Sequence, residues 1–345
     1  MKKFLLLSLL AVSTLTLSTK AQEKDPPLII TGSVDAYFKY DFSGKSNIPT
    51  SFASDQNSMS IGMVDLALKK KVGKAAFVGE VSFGPRNDQS LPVPTNHIQN
   101  LYVSYDVTPE FNLTAGYMGT FVGYEVINAA GNFNYSTSYL FTNGPFQNAG
   151  IKATYAFSSK ASLIVGAFND QWNVYKSVNN MGLFGAQLFL SPVEGWNAYI
   201  NLLTASNKTA TSGTVIDFTT SYQITKAFKF GLNAASYSAS NGAGTGGYEG
   251  IALYPQYAVS DAVTFGLRGE YFKTKTGTVA TFGPAPGSSV TALTVTANVK
   301  AGPLVLIPEV RFDTNKDLAT SAFVNGNGMA TKSASQFAIA AVYAF

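Results

Sequence analysis

The chain has 345 residues, of which only 13% are charged, while aromatic residues make up another 13% and 31 residues are glycine. Soluble globular domains carry about 25% charged residues, so this composition disfavours an ordinary soluble domain. Once an expected leader is removed, the net charge of +4 falls to a near balance of 21 basic and 20 acidic residues, which gives no support to nucleic-acid binding. The absence of cysteine excludes disulfides, thiol catalysis and thiolate metal sites.

Residues 1–21 have the pattern of a secretory signal peptide. Lys2 and Lys3 precede a short apolar run, and Ala21 ends a small-residue cleavage site. The apolar run is too short for a membrane-spanning helix, which needs roughly 20 residues. We therefore expect export of the chain and a single mature domain over residues 22–345, since no linker or shift in composition divides it.

Hydrophobic alternation with a period of two continues through almost the whole mature chain, without convincing helical periodicity. In residues 28–42, apolar side chains share one face while Asp35 and Lys39 lie on the other. The pattern predicts sixteen strands of about ten residues each. They cover residues 28–42, 59–69, 75–84, 97–107, 111–120, 148–157, 161–170, 181–191, 195–205, 213–223, 227–238, 248–258, 262–273, 289–300, 303–313 and 335–345.

Short connections alternate with long ones that are rich in Gly, Ser, Asn and Thr. Outer-membrane barrels have short periplasmic turns and longer extracellular loops. The sequence therefore predicts an all-β, antiparallel transmembrane β-barrel of about 16 strands, in the outer membrane of a Gram-negative bacterium.

Residues 239–247 are expected to form a flexible surface loop, and residues 121–147 are the longest connection.

The last predicted strand ends on an aromatic residue, Phe345, with Phe337 and Tyr343 on the same face. In a soluble protein an unpaired apolar edge of this kind would invite aggregation. A strand that closes a barrel in lipid avoids this problem. We therefore expect residues 335–345 to pair with residues 28–42. The terminal Phe resembles the signal through which the barrel assembly machinery receives outer-membrane barrels.

The number of predicted strands determines the expected class of function. Barrels of sixteen to eighteen strands leave an aqueous channel, so we predict a porin through which small hydrophilic solutes diffuse passively, with outer-membrane lipid around it. The aromatic connection 121–147 is expected to fold into the lumen and constrict it. No cofactor, metal site or catalytic residue is expected. Trimers are common among barrels of this size, but no interface is evident in the sequence.

Two other classes of function remain open besides a porin. A narrower or closed barrel would serve as a structural or adhesive surface protein. A barrel phospholipase has the least support, because it would need the single histidine, His97, paired with a serine and an orienting polar residue.

The longest connection also carries a family resemblance. Its segments Gly123-Tyr-Glu-Val-Ile127, Asn132-Phe-Asn-Tyr-Ser136 and Gly144-Pro-Phe146 are similar to the Putative beta-barrel porin-2 (OmpL-like) family of Gram-negative outer membranes. The resemblance implies an outer-membrane porin. In this chain Thr137 stands where that family commonly has arginine, and residues 147–149 stand where a His-Thr pair is common. The constriction is therefore expected to be more neutral than in the family.

The candidate pore residues are five from this connection and two arginines expected across the bore. They are Tyr124, Glu125, Asn132, Tyr135, Gln147, Arg268 and Arg311. Strand parity places a mixture of charges inside the barrel, with Arg268 able to pair with Glu270 and Arg311 with Asp313. These inward charges are Asp35, Lys39, Asp41, Asp65, Glu80, Lys152, Asp217, Lys229, Arg268, Glu270, Glu309, Arg311 and Asp313. Rings of one sign would make a strong ion filter, so this mixture of eight acidic and five basic groups predicts weak charge selectivity, slightly in favour of cations.

Overall fold

A closed antiparallel β-barrel of sixteen strands makes up the fold in this computed structural model. The structure describes residues 26–90, 96–205 and 208–345, and the expected signal peptide lies outside them. Each barrel strand pairs with its neighbours in the chain, and the first strand, β1 (Ile29–Asp41), closes the ring against the last, β18 (Ser333–Ala344). The prediction of a sixteen-strand antiparallel barrel is confirmed.

The other barrel strands follow in chain order. They are β2 (Ser58–Val72), β3 (Ala75–Phe83), β4 (Ile98–Asp106), β5 (Phe111–Gly119), β6 (Gln147–Ser158), β7 (Ala161–Phe168), β8 (Leu183–Leu190), β9 (Trp196–Ala205), β10 (Gly213–Gln223), β11 (Phe228–Asn241), β12 (Gly244–Ala258), β13 (Val263–Thr274), β14 (Ser289–Ala301) and β15 (Leu304–Asn315). Between β15 and β18, two short strands, β16 (Phe323–Val324) and β17 (Ala330–Thr331), form a separate small sheet.

The observed strands differ clearly from the predicted ones at residues 239–247. These residues were expected to form a flexible surface loop, but β11 and β12 extend through them and leave only residues 242 and 243 as a tight turn. The pairing Asn241↔Gly244 brackets this turn. The Asn241 side chain accepts from the Ala243 N–H over 2.9 Å, a local contact through which asparagine favours a turn. The prediction of a loop was therefore wrong, because the glycines permit a hairpin as well as a flexible segment.

The outer surface of the barrel is apolar and exposed. Met59 is 76% exposed, Val103 is 61% exposed and Ile216 is 58% exposed, and each alternates along its strand with residues that point inward. Exposed apolar surface on this scale is typical of a wall that faces lipid rather than water.

Closure of the barrel uses the chain terminus, as the sequence predicts. Strand pairing matches Ser33 with Ala344 and Asp41 with Gln336. Beyond the strand, the Phe345 N–H donates to the Gly32 carbonyl and the Gly32 N–H donates to the Phe345 carbonyl, each over 3.0 Å. The strand pairing at this seam therefore continues to the last residue of the chain, which suits lipid surroundings.

Two short helices lie among the described residues, α1 (Pro85–Ser90) and α2 (Tyr139–Asn143). No helix in the described ranges is long and apolar enough to cross a membrane. Both helices carry buried residues, and the buried aromatic side chains lie mainly inside the ring of strands. The core of this barrel is thus formed between its wall and the segments that enter the bore.

Candidate functional site

The connection between β5 and β6, residues 120–146, turns into the bore and crosses it; we call it the inward loop. The Gly123 N–H donates to the Asp217 carboxylate of β10 over 3.0 Å. Further along, Asn128 Nδ2 donates to Asp65 of β2 over 3.1 Å. Strands β2 and β10 lie eight positions apart in the ring of sixteen. The inward loop therefore spans the full width of the barrel.

Local hydrogen bonds reverse the inward loop at its far end. The Asn128 side chain caps a 3-10 turn at Ala129–Gly131 by accepting from the Ala130 N–H over 2.9 Å. The Asn132 side chain then binds both the N–H and the carbonyl of Val126, at 2.9 and 2.7 Å. Asparagine favours such local contacts with the backbone, so these two residues fix the reversal.

The returning half of the inward loop contains α2. The Ser138 side chain caps this helix by accepting from the Phe141 N–H over 3.0 Å. Glu125, from the outgoing half, accepts from both the N–H and the hydroxyl of Ser138 at 2.7 Å. The cap of α2 therefore also joins the two halves of the inward loop.

Arg268 of β13 fixes both halves of the inward loop to the wall. Its guanidinium is fully buried and donates to Glu125 over 2.9 Å, to the Ser136 carbonyl over 2.5 Å and to the Ser136 hydroxyl over 3.0 Å. Removing one partner of a buried ion pair leaves an uncompensated charge, which costs about 3–5 kcal/mol. This network therefore holds the inward loop strongly against β13.

Arg311 of β15 forms a second buried anchor. It binds Asp313 on the same strand at 2.8 and 3.0 Å, and it donates to the Thr137 carbonyl of the inward loop over 2.8 Å. Its guanidinium also lies 5.1 Å from the centre of the Tyr139 ring, within the range of a cation–π contact. The inward loop thus covers both arginines.

Two tyrosines of the inward loop act as hydroxyl donors to wall carboxylates. Tyr135 donates to Asp35 over 2.6 Å, and Tyr139 donates to Asp313 over 2.8 Å. Burial raises the pKa of both phenols above its ordinary value, so each keeps its proton for these hydrogen bonds. The Tyr135 N–H adds a bond to Glu309 at 3.1 Å. Asp35, Glu309 and Asp313 are therefore bound by the inward loop rather than left free in the bore.

Inward-facing glycines make room for the aromatic side chains of the inward loop. A Cβ at Gly231 would meet the Tyr124 hydroxyl, and one at Gly266 would meet the Phe133 ring. Tyr124 also stacks on Tyr254 of β12, with ring centres 4.4 Å apart. Glycine inside a strand often marks a close approach of another group. These glycines are the sequence signal by which the docking wall could have been found.

Two further segments also enter the barrel, and the sequence analysis missed both. They are the connection 42–57 and α1, where Arg86 is fully buried. Its guanidinium lies 4.5 Å from the Phe52 ring centre and 4.9 Å from the Tyr135 ring centre, and it donates to the Ile127 carbonyl over 3.0 Å. These segments carry no repeated hydrophobic pattern, so the sequence offers no signal that they fold inward.

An opening remains between the inward loop and the wall formed by β3 to β6. It encloses about 220 Å³. On the wall side, Asn100 donates to Glu80 over 2.6 Å, and Gln147 donates to Gln99 over 2.5 Å. The polar lining of this opening is mainly amide, and its charged members are the carboxylates of Glu80 and Glu125. Below it, towards the short turns, a wider cavity of about 530 Å³ lies under the inward loop.

Comparison with known families identifies this architecture. The sequence profile described as "Putative beta-barrel porin-2, OmpL-like" matches residues 27–345. The chain belongs to this porin family. It is an outer-membrane porin, and the resemblance found in the inward loop is confirmed over nearly the whole mature sequence. None of the curated proteins matches this sequence significantly.

Solved structures share the fold of this porin at low sequence identity. The anion-selective porin from Comamonas acidovorans is 16% identical with a TM-score of 0.63, covering 92% of this chain and 99% of that one. The channel DcaP of Acinetobacter baumannii is 14% identical with a TM-score of 0.62, covering 92% and 97%. The trimer form of OmpT from Vibrio cholerae is 14% identical with a TM-score of 0.58, covering 92% and 99%.

The five candidate pore residues of the inward loop occupy different positions in this porin. Gln147, at the start of β6, and Glu125 line the opening. Tyr124 and Asn132 line the lower cavity, and burial raises the pKa of Tyr124 to about 12. Tyr135 is fully buried and lines neither space.

The two candidate arginines lie beneath the inward loop and not on an open face of the bore. Arg311 pairs with Asp313, as expected. Arg268 pairs with Glu125 instead of Glu270, which accepts from the Leu140 N–H over 3.0 Å. The expected Arg268–Glu270 pair is wrong because strand parity predicts which wall residues share a face, but not which loop residues cover that face.

The single histidine, His97, lies just before β4. Its Nδ1 is 3.3 Å from Asn87 Nδ2, and its ring packs on Phe83 with centres 4.4 Å apart. No serine hydroxyl is among its contacts within the described residues. A nucleophile–base pair of the kind that a hydrolase requires is therefore not formed by these contacts.

Proposed function

We propose that this porin passes small hydrophilic solutes by passive diffusion through the opening between the inward loop and the β3 to β6 wall, with weak charge selectivity at that point. The observation that carries the proposal is the fixed position of the inward loop, which is bonded to opposite sides of the barrel and leaves a space of about 220 Å³ beside it. A space of this size favours solutes of a few heavy atoms over large ones. Weak selectivity follows from the pairing of the charged groups around it.

We also infer the setting in which the channel works. The porin lies in the outer membrane of a Gram-negative bacterium, with its short turns in the periplasm. The last strand, which ends on Phe345, is the segment that the barrel assembly machinery would receive. A homotrimer is the assembly we favour, since one structural relative is described in a trimer form.

Reconstitution in planar lipid bilayers tests the diffusion proposal. We expect stable, ohmic conductance steps from the purified full-length mature chain. A well-folded barrel that stays electrically silent would contradict passive diffusion. It would favour the alternative of a closed barrel with a structural or adhesive role, which the inward folding of α1 and the connection 42–57 makes worth testing. Liposome swelling over a series of uncharged sugars then gives the size limit.

The proposed role is transport without catalysis. Lipid hydrolysis by the purified barrel is the measurement that checks it. Activity that disappears in His97→Ala but survives in the neighbouring variant Asn96→Ala would establish the phospholipase alternative instead.

A further inference from the structure

The charges inside the barrel are unevenly distributed between its two halves. Near the middle and the long-loop end, acidic groups are bound by the inward loop or its neighbours. Asp217 receives the Gly123 N–H, and Glu309 receives the amides of Tyr135 and Ser136. Their charge is thus largely compensated within the protein.

The half near the short turns instead carries inward-facing lysines. They are Lys69, Lys152, Lys229 and Lys300, each on the same face of its strand as residues that point into the bore. Among the described residues, no carboxylate lies within ion-pair distance of Lys152, Lys229 or Lys300. Lys71 is different, because it pairs with Asp106 at 2.5 Å.

Two of these lysines share one cavity. Lys229 of β11 and Lys300 of β14 both line the space of about 530 Å³ beneath the inward loop. The remaining polar lining is uncharged apart from Glu125, and it includes Ser221, Gln256, Thr264 and Asn298. Glu125 is already bound by Arg268 and by Ser138. We call this space the basic chamber.

We propose that the basic chamber binds the carboxylate or phosphate group of small anionic solutes, so that this porin passes anions in preference to cations. The proposal rests on the diffusion function above and names its substrate class. Lysine ammonium groups in a cavity with low-dielectric walls attract anions and raise their local concentration. The opening above contributes two carboxylates: Glu80 accepts from Asn100, and Glu125 is paired with Arg268. The unpaired lysines therefore determine the sign of the preference.

Reversal potentials in a potassium chloride gradient test the proposal. We expect the porin to be anion-selective, and we expect Lys229→Gln/Lys300→Gln to lower the anion-to-cation permeability ratio by roughly twofold or more. The matched control is Lys226→Gln, an exposed lysine in the turn between β10 and β11, which should leave the ratio unchanged. Titration calorimetry with inorganic phosphate on the detergent-solubilised barrel measures binding independently of conduction.

The outcomes separate this proposal from the diffusion function. Conductance without anion preference, or a double variant that behaves like the Lys226 control, overturns the anion proposal alone. A silent barrel that still binds phosphate through Lys229 and Lys300 overturns the diffusion function alone. A barrel that neither conducts nor binds phosphate overturns both.

Discussion

The wall of the bore from β10 round to β2 differs from the wall from β3 to β6. The first wall is covered by the inward loop and holds buried charges such as Arg268, Arg311 and Glu309. The second lines the opening and presents mainly uncharged polar groups, for example Asn100 and Gln99. Both walls come from the same alternating strand pattern, so their difference arises from the loop that covers one of them.

This contrast indicates what the charged residues do. On the covered wall Arg268, Arg311 and Glu309 hold the inward loop in place, because each has a partner on it. On the uncovered parts of the bore, and in the basic chamber, charges are free to act on solutes. A charge inside a barrel therefore acts on solutes only where no loop binds it.

The largest effect on conduction should come from removing the inward loop. Deleting residues 124–146 should expose the charged wall and enlarge the single-channel conductance by roughly twofold or more, since the bore of a sixteen-strand barrel is wide without an inward segment. Planar-bilayer recordings measure the change. As a control, deletion of residues 326–329, at the exposed tip of the small sheet, should leave conductance unchanged. Equal conductance in the deletion and the intact chain would place the constriction elsewhere.

A smaller effect, on the docking of the inward loop, should follow from breaking the buried Arg268–Glu125 pair. Arg268→Gln leaves Glu125 buried without its ion partner, which should weaken docking of the inward loop by about 3–5 kcal/mol. Cleavage by chymotrypsin within the inward loop reports its release. The exposed pair Lys273–Glu249 provides the control, because Lys273→Gln should cost less than about 1 kcal/mol.

The double variant Arg268→Gln/Glu125→Gln adds a test of the mechanism. It should recover part of the lost protection, since no unpaired charge then remains. Cleavage as fast as in Arg268→Gln alone would show that the pair itself is not what holds the loop.

The smallest effect should come from crowding an aromatic contact on the covered wall. Gly266→Ala places a methyl group against the Phe133 ring, and overpacking of this kind costs about 1–3 kcal/mol. Gly269→Ala, on the same strand but with open space around it, should be nearly neutral. The same chymotrypsin assay compares the two, and equal cleavage rates would mean that Phe133 does not need the glycine.

Much of the barrel could be predicted from the sequence because strand pairing in a membrane leaves few choices. Alternation separates lipid-facing from inward residues, and a one-residue slip would expose the polar face to lipid. The sixteen segments, and the closure of β18 on β1, followed from this rule. The hairpin at residues 242–243 did not, since composition alone suggested a loop there.

The candidate site was less predictable because its contacts join residues far apart in the chain. Glu125 and Arg268 are separated by 143 residues, and no local pattern pairs them. The burial of Arg86 in the bore had no sequence signal at all. The inward glycines, such as Gly231 and Gly266, did carry a sequence signal, because a glycine within a strand often marks the close approach of another group.

By itself, the sequence determined a membrane barrel, its strands, its closure at Phe345 and which charges point inward, because period-two alternation in lipid determines all four. Only the tertiary structure decided which of those charges are covered and which are open. That decision depends on the path of residues 120–146 through the bore, which buried hydrogen bonds to β2, β10, β13 and β15 hold in place.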